Sequence, residues 1–275
     1  GNRIRITAQL IEASSNTHMW AERFDRDLQD VFAIQDEISK HIAGELKIRL
    51  TKEQEQALTR KGTESLEAYD AYLKGLFHSR RKTKSDLDLA VDHLNRALVI
   101  AENFAAAHSV LAFVLRFKFA FGLDRNPAVF EQAKIHTERA LALEPQLSDA
   151  LLMKGLLLRE EGDMAGAIET LHKLIGMNPT HVQAYAYLGN AYRDTGDIDQ
   201  ALEYHSRAME LDPKDFFHPY NLWVDHWSGG DRDKLETLIS RAESLVPNHY
   251  LVLMCKSYVA TFARDEAKAL EFIDA

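Results

Sequence analysis

A 34-residue period constrains the fold of this chain more than any other feature of its sequence. Between about Leu143 and Pro247 it sets the spacing of four prolines and three Gly-Asp pairs, namely Pro145, Pro179, Pro213 and Pro247 and the pairs that begin at Gly162, Gly196 and Gly230. Glycine allows a tight turn and proline ends a helix, so each period contains two helices joined by a turn. Because one helix pair cannot bury its apolar face alone, the period predicts a solenoid of stacked helix pairs.

The most complete unit runs from 184 to 213 and reads AYAYLGNAYRDTGDIDQALEYHSRAMELDP. It resembles a tetratricopeptide repeat at most signature positions, which here are Tyr185, Leu188, Gly189, Tyr192, Ala201, Ala208 and Pro213. The resemblance implies a mostly α fold, a right-handed α-solenoid of about six helix pairs. The predicted repeats are approximately 65–103, 104–147, 148–181, 182–215, 216–249 and 250–275.

The chain before the repeats has a different pattern. Residues 3–12 alternate between apolar and polar, which predicts a half-buried strand, and residues 18–25 read as its partner, with Trp20 and Phe24 on one side. Apolar residues at helical spacing then predict a helix from about Leu28. A hairpin with a single helix is marginally stable in water, so this segment is expected to be the end of a larger α/β domain.

The N-terminal sequence, GNRIRITAQLIEA followed by HMWAERFDRDLQDVFAIQDEI, is similar to the end of the TolB-amino-terminal-like domain of bacterial multidomain proteins. That resemblance implies an upstream output module: a class III adenylate cyclase, a winged-helix DNA-binding domain or a protein kinase. The predicted division is a strand-strand-helix remnant at 1–48, a linker at 49–63 and a solenoid at 64–275. Since the first residue is Gly and the sixth repeat stops inside its second helix, the chain is expected to be cut at both ends.

Charge and chemistry exclude several functions. The net charge of −9 is expected to repel phosphate backbones, so no nucleic-acid partner is predicted. Charged residues interrupt the apolar stretches, which predicts a soluble segment without membrane contact, with the cytoplasm favoured over the periplasm. The 12 histidines never fall three or four residues apart, so no metal site is predicted. The sequence contains no phosphate-binding loop and no nucleophile elbow, so neither catalysis nor a cofactor is expected within this chain.

The resemblance implies that the first helix of each repeat lines a concave groove. The predicted partner-binding residues are Leu152, Met153, Leu156, Tyr187, Asn190, Arg193, Tyr220, Asn221, Val224, Trp227 and Tyr258. Aromatic anchors and amides suit an apolar peptide or an amphipathic helix. Some relatives clamp a peptide carboxylate with lysine, but Leu152 and Ala186 stand at those positions, so that mode is not expected.

Three functions remain open from the sequence. The first is a non-catalytic protein–protein interaction scaffold, the docking or sensor segment of a larger bacterial regulator with a peptide or helix in its groove. The second is the regulatory arm of a class III adenylate or guanylate cyclase. The third is a homo-oligomerisation spacer, in which the groove aromatics pack on each other or on a second copy of the chain.

Two local expectations concern individual helices. Ser85 with Asp88 is the predicted N-cap pair of the second helix of repeat one. In repeat five Trp223 replaces the small residue and Pro219 enters the first helix, so this repeat is expected to be the least regular. Trp223 should push the helices apart or turn to the surface, and Pro219 is tolerable in the first helical turn.

Overall fold

The computed structural model describes residues 3–12, 15–27, 31–45 and 62–274. The chain divides into two compact units, Gly1–Ala107 and His108–Ala275. The fold class is mostly α, with a small antiparallel sheet followed by consecutive helices, as the sequence predicts. The predicted linker falls almost entirely outside the described residues, as does the predicted helix start at Leu28.

The first unit begins with an antiparallel hairpin of β1 (Arg3–Glu12) and β2 (Thr17–Asp27). Ile6 stands opposite Phe24, and the register is irregular after Leu10. Helix α1 (Val31–Glu45) follows and packs against both strands, and its Ile34 is buried like Phe24. Alternation therefore located the first strand, and the second is longer than the predicted 18–25.

The first helix pair consists of α2 (Leu66–Ser79) and α3 (Lys84–Ile100). Helix α3 begins earlier than predicted, because Thr83 is its N-cap: the Thr83 side chain accepts from the backbone N–H of Asp86 and donates to the Asp86 carboxylate at 2.6 Å. The Ser85–Asp88 prediction is therefore wrong, and the capping pair lies two residues earlier in the chain.

The division between the two units falls within α4 (Ala105–Ala120), and the remaining helices belong to the second unit. These helices are α5 (Pro127–Leu143), α6 (Ser148–Glu161), α7 (Met164–Met177), α8 (Val182–Thr195), α9 (Ile198–Leu211), α10 (Phe217–Ser228), α11 (Leu235–Leu245), α12 (Tyr250–Phe262) and α13 (Glu266–Asp274).

The Gly-Asp pairs form the turns that the period predicts. Gly162 and Gly196 end α6 and α8 with φ of 87° and 86°, the left-handed region that glycine adopts without strain. The following Asp163 and Asp197 then cap α7 and α9 by accepting backbone N–H groups. One dipeptide thus ends one helix and starts the next.

Repeat five departs from this pattern. Helices α10 and α11 have 12 and 11 residues, against 14 for each helix of the two preceding repeats, and neither has a side-chain N-cap. Pro219 is the third residue of α10 and lies in its first turn, where no intrahelical hydrogen bond is lost. Trp223 does not turn to the surface: it is buried in a core cluster with Phe216 and Leu235.

Candidate interaction surface on the first helices of the repeats

The first helices of the second unit are α4, α6, α8, α10 and α12, and neighbouring members pack side by side. Helix α6 contacts α8, and α8 contacts α10. Between α4, α6 and α8 lies an apolar strip in which Met153 and Leu156 are only 3% and 2% exposed. The half-buried Phe113, Leu152 and Tyr187 cover that strip. Met153 and Leu156 therefore form the core beneath the predicted groove and offer almost no side-chain surface to a partner.

A ladder of ion pairs crosses the same first helices. In each step an arginine of one first helix donates to a carboxylate of the next. The pairs are Arg116–Glu160 at 2.5 Å, Arg159–Asp194 at 2.6 Å and Arg193–Asp225 at 3.0 Å. Because these arginines are already paired within the protein, the polar part of the surface serves first to hold neighbouring repeats in register.

The last step of the ladder is a buried network. Asp225 is fully buried, and its carboxylate accepts from Arg193 and from Nδ1 of His205, which is also fully buried. The other ring nitrogen of His205, Nε2, donates to the backbone carbonyl of Ala186 at 3.0 Å. Both ring nitrogens of His205 therefore contact oxygen atoms of the protein, Nδ1 the Asp225 carboxylate and Nε2 the Ala186 carbonyl.

Arg193 also donates to the Asn190 side chain. Two predicted partner-binding residues, Asn190 and Arg193, are therefore engaged in an internal network that ties α8 to α9 and α10. Asn221 is half-buried, and its amide forms no side-chain hydrogen bond within the described part of the chain. Of the two amides that the sequence placed in the groove, only Asn221 is available to a partner's backbone.

An aromatic group joins α10 to α12. Trp227 stacks on Trp223 with ring centroids 5.2 Å apart, and Tyr258 lies 5.9 Å from Trp227. The Arg232 guanidinium lies 4.0 Å above the Trp227 ring and 5.1 Å from Phe262. Trp227 is thus packed within the protein, whereas Tyr258 and Phe262 remain 50% and 66% exposed.

Tyr220 lies between α8 and α12. Burial raises the pKa of its hydroxyl, with smaller contributions in the same direction from Cys255, Tyr250 and Tyr258 and an opposing one from Arg193. Its ring and Val224 pack on the core of repeat five. Tyr220 therefore connects the surface around Tyr187 with the exposed Tyr258.

Sequence reasoning missed three contributors to this surface. Arg232 lies in the turn between α10 and α11, outside the first-helix positions that the resemblance marks. Asp225 and His205 stand where the preceding repeat has Ala191 and Leu171, so a polar residue at an apolar repeat position was the available signal.

Two further observations limit the chemistry of this surface. Cys255 is buried, and burial raises the pKa of its thiol to about 12, so it packs as an apolar group. Among the described residues no helix has both the length and the apolar character needed to cross a membrane.

Comparison with known proteins agrees with the repeat geometry. Models of the family "Tetratricopeptide repeat" match residues 149–181 and 182–215. These segments are tetratricopeptide repeats. Repeats of this family serve as protein–protein interaction scaffolds, and this is the general function class of the present chain.

Similar proteins extend the comparison. Over 113 residues, the chain is 37% identical to "Putative adenylate cyclase 3" of Rhizobium meliloti (strain 1021), which covers 41% of this chain and 19% of that protein. The chain spans less than half the length of each curated relative it matches.

Solved structures show the same fold. The crystal structure of PilW, a "widely conserved type IV pilus biogenesis factor", has a TM-score of 0.64 at 16% identity and covers 76% of this chain and 91% of its own. The structure of pilF of Pseudomonas aeruginosa has a TM-score of 0.58 at 20% identity, covering 75% and 89%.

Proposed function

We propose that the chain is a docking segment that holds an apolar peptide or an amphipathic helix of a protein partner on the first helices of its tetratricopeptide repeats. The supporting observation is a row of accessible tyrosines on successive first helices, Tyr187 on α8, Tyr220 on α10 and Tyr258 on α12. Partly buried aromatic side chains of this kind commonly act as binding anchors.

The charge pattern of the surface supports an apolar partner. Arg159 and Arg193 are paired with carboxylates of the next repeat, and a partner's acidic group would have to compete with those contacts. The tyrosine rings and the Asn221 amide remain, and they suit apolar side chains and a backbone amide.

The experiment compares Tyr187 and Tyr258, which lie on the proposed surface, with a control tyrosine on the same helix as Tyr187. A peptide is first selected from a random peptide library on the wild-type chain and labelled with a fluorophore, and its affinity is then measured by fluorescence anisotropy. Tyr187→Ala and Tyr258→Ala should each weaken binding roughly tenfold or more, as expected for loss of an aromatic anchor.

Tyr185→Ala is the matched control. Tyr185 is also half-buried on α8, but its hydroxyl donates to the Pro179 carbonyl and its ring faces Tyr204 of α9, away from the proposed surface. The affinity of the Tyr185→Ala variant for the peptide should stay at the wild-type value. Equal loss in Tyr185→Ala and Tyr187→Ala, with unchanged circular dichroism, would place the peptide elsewhere and refute the proposal.

A second candidate is the regulatory arm of a nucleotide cyclase, favoured by the 37% identity to the Rhizobium meliloti protein. The test uses the full-length parent protein and measures cyclic nucleotide formation with and without Tyr258→Ala. A changed rate at unchanged protein level supports this function. A parent without a cyclase domain, or an unchanged rate, rules it out.

A third possibility, a homo-oligomerisation spacer, has to be distinguished from the docking segment and from the regulatory arm. Sedimentation equilibrium of the wild-type chain and of Tyr258→Ala distinguishes it. If the chain self-associates and the substitution abolishes the association, then the row of tyrosines binds a second copy rather than a different protein.

A further inference from the structure

Three potential metal ligands meet where α9 ends and α10 begins. Asp212 is the residue that follows α9, Asp215 lies in the connection, and His218 is the second residue of α10. One ligand atom of each lies within 4.8 Å of the other two. The connection thus gathers two carboxylates and one imidazole, a ligand set that suits divalent transition metals.

Backbone hydrogen bonds already orient both carboxylates. Oδ1 of Asp212 accepts from the Lys214 N–H at 3.1 Å, and Oδ1 of Asp215 accepts from the Phe217 N–H at 2.8 Å. Each carboxylate keeps its second oxygen for another partner. Such supporting hydrogen bonds fix the orientation of metal ligands in known sites.

His218 provides the independent observation. Its side chain is 3% exposed, and neither Nδ1 nor Nε2 has a hydrogen-bond partner among the residues that the structure describes. A buried polar group without a partner destabilises the folded state. Oδ2 of Asp215 lies 4.0 Å from Nε2, which is too far for a hydrogen bond.

The three residues occur together at this connection alone among those of repeats three to six. The preceding repeat has Asn178, His181 and Ala184 at the same positions, and the following repeat has Val246, His249 and Val252. The preceding repeat, with a fully buried Ala184, forms the same helix pair. A buried histidine is therefore not a requirement of the repeat.

We propose that Asp212, Asp215 and His218 bind one divalent transition-metal ion, with Zn²⁺ as the best match to two carboxylate oxygens and one imidazole nitrogen. Metal–ligand bonds of about 2.1 Å place tetrahedral ligand atoms roughly 3.4 Å apart. The 4.0 Å gap between Nε2 of His218 and Oδ2 of Asp215 therefore needs to close by less than about 1 Å. The nitrogen ligand disfavours Mg²⁺ and Ca²⁺, which take oxygen.

The consequence for the protein is a fixed joint between repeats four and five. The ion neutralises two carboxylates and gives the buried His218 nitrogen a partner. Bound metal should therefore stabilise the connection that precedes Tyr220, the central tyrosine of the proposed docking surface. The fourth coordination position is left for water or for a ligand group of another molecule.

The test is calorimetric titration of Zn²⁺ into the untagged, chelator-treated chain, followed by thermal unfolding with and without Zn²⁺. Asp215→Asn keeps the acceptor for the Phe217 N–H and removes the charged ligand. His218→Ala introduces the residue found at this position in repeats three and four, as Ala150 and Ala184, so the variant should fold. Each substitution should weaken Zn²⁺ binding roughly tenfold or more and remove the rise in melting temperature.

Asp197→Asn is the matched control, because the Asp197 carboxylate also accepts from a backbone N–H, that of Gln200, and lies outside the cluster. It should bind Zn²⁺ like the wild type. Wild-type affinity in Asp215→Asn would overturn the proposal, as would the absence of micromolar Zn²⁺ binding. An equal thermal shift with Mg²⁺ would overturn the choice of a transition metal. Should His218→Ala fail to fold, Asp215→Asn alone decides.

Discussion

The buried carboxylate of Asp225 allows the sharpest test of what holds repeats four and five together. It is fully buried, and it is the counter-ion of Arg193 and the hydrogen-bond partner of the fully buried His205 ring. Asp225→Asn keeps the size of the side chain and removes its charge. Arg193 then loses its counter-ion, and the buried His205 ring loses the carboxylate that it contacts.

Removing one partner of a buried ion pair typically costs about 3–5 kcal/mol. We expect a loss of that order in the free energy of unfolding, because Asp225 and His205 have no exposed surface and Arg193 is only 19% exposed. The assay is urea unfolding followed by tryptophan fluorescence and by far-UV circular dichroism. Two of the three tryptophans, Trp223 and Trp227, lie in repeat five and report on this joint.

Asp194→Asn is the matched control. Asp194 accepts from Arg159, the equivalent arginine of the preceding repeat, but these side chains are 31% and 26% exposed. Water screens such a pair, so its loss should cost less than about 1 kcal/mol. Equal losses in the two variants would refute the argument from burial.

A double substitution tests whether an apolar pair can replace the buried network of Arg193, His205 and Asp225. The preceding repeat has Leu171 and Ala191 where this repeat has His205 and Asp225. His205→Leu with Asp225→Ala therefore restores an apolar pair, and apolar replacement of a buried ionic network is often neutral or stabilising. The double variant should be more stable than Asp225→Asn. If it is less stable than Asp225→Asn, the apolar pair does not replace the network and the reasoning is wrong.

Two further predictions concern packing and pH. A Cβ on Gly189 would lie 2.6 Å from Nε2 of His205, so Gly189→Ala should lower the free energy of unfolding measured in urea. A Cβ on Gly176 meets no atom within 4 Å, so Gly176→Ala should leave the free energy of unfolding unchanged or raise it by up to about 1 kcal/mol. Burial, aided by His108, lowers the pKa of His136 from 6.5 to about 4. The contribution of neutral His136 to the free energy of unfolding should therefore be fully present above pH 6.5 and be lost as the pH falls towards 4. The loss should be less than the ~3 kcal/mol of the full shift, because the ring is partly exposed. In urea titrations at pH 7 and 5, His136→Gln should reduce this pH dependence.

Much of the fold could be predicted from the sequence, because the residues that specify its turns and strands are close together along the chain. The Gly-Asp pairs predict turns since glycine alone adopts φ near 87° without strain and aspartate caps the next helix. Strand β1 was legible because alternation defines two faces within a single strand. The N-cap of α3 was misplaced because Thr83 and Ser85 are equally good caps, and only the helix start distinguishes them.

The candidate interaction surface could be predicted only in part from the sequence. The repeat period indicates the direction in which a side chain leaves its own helix, and it placed Tyr187, Tyr220 and Tyr258 on the first helices. It does not indicate what the neighbouring helices cover. Met153 and Leu156 are therefore buried although they occupy groove positions, since burial depends on the helices on either side.

The sequence by itself determined the paired helices, their turns and the hairpin before them, because each is specified by contacts within one repeat or one strand pair. Tertiary structure alone decided which polar residues are engaged. Arg193, His205 and Asp225 come from three helices, and Asp212, Asp215 and His218 come together across the end of one helix and the start of another. Such groupings depend on the distance between side chains on different elements, and no spacing along the chain encodes that distance.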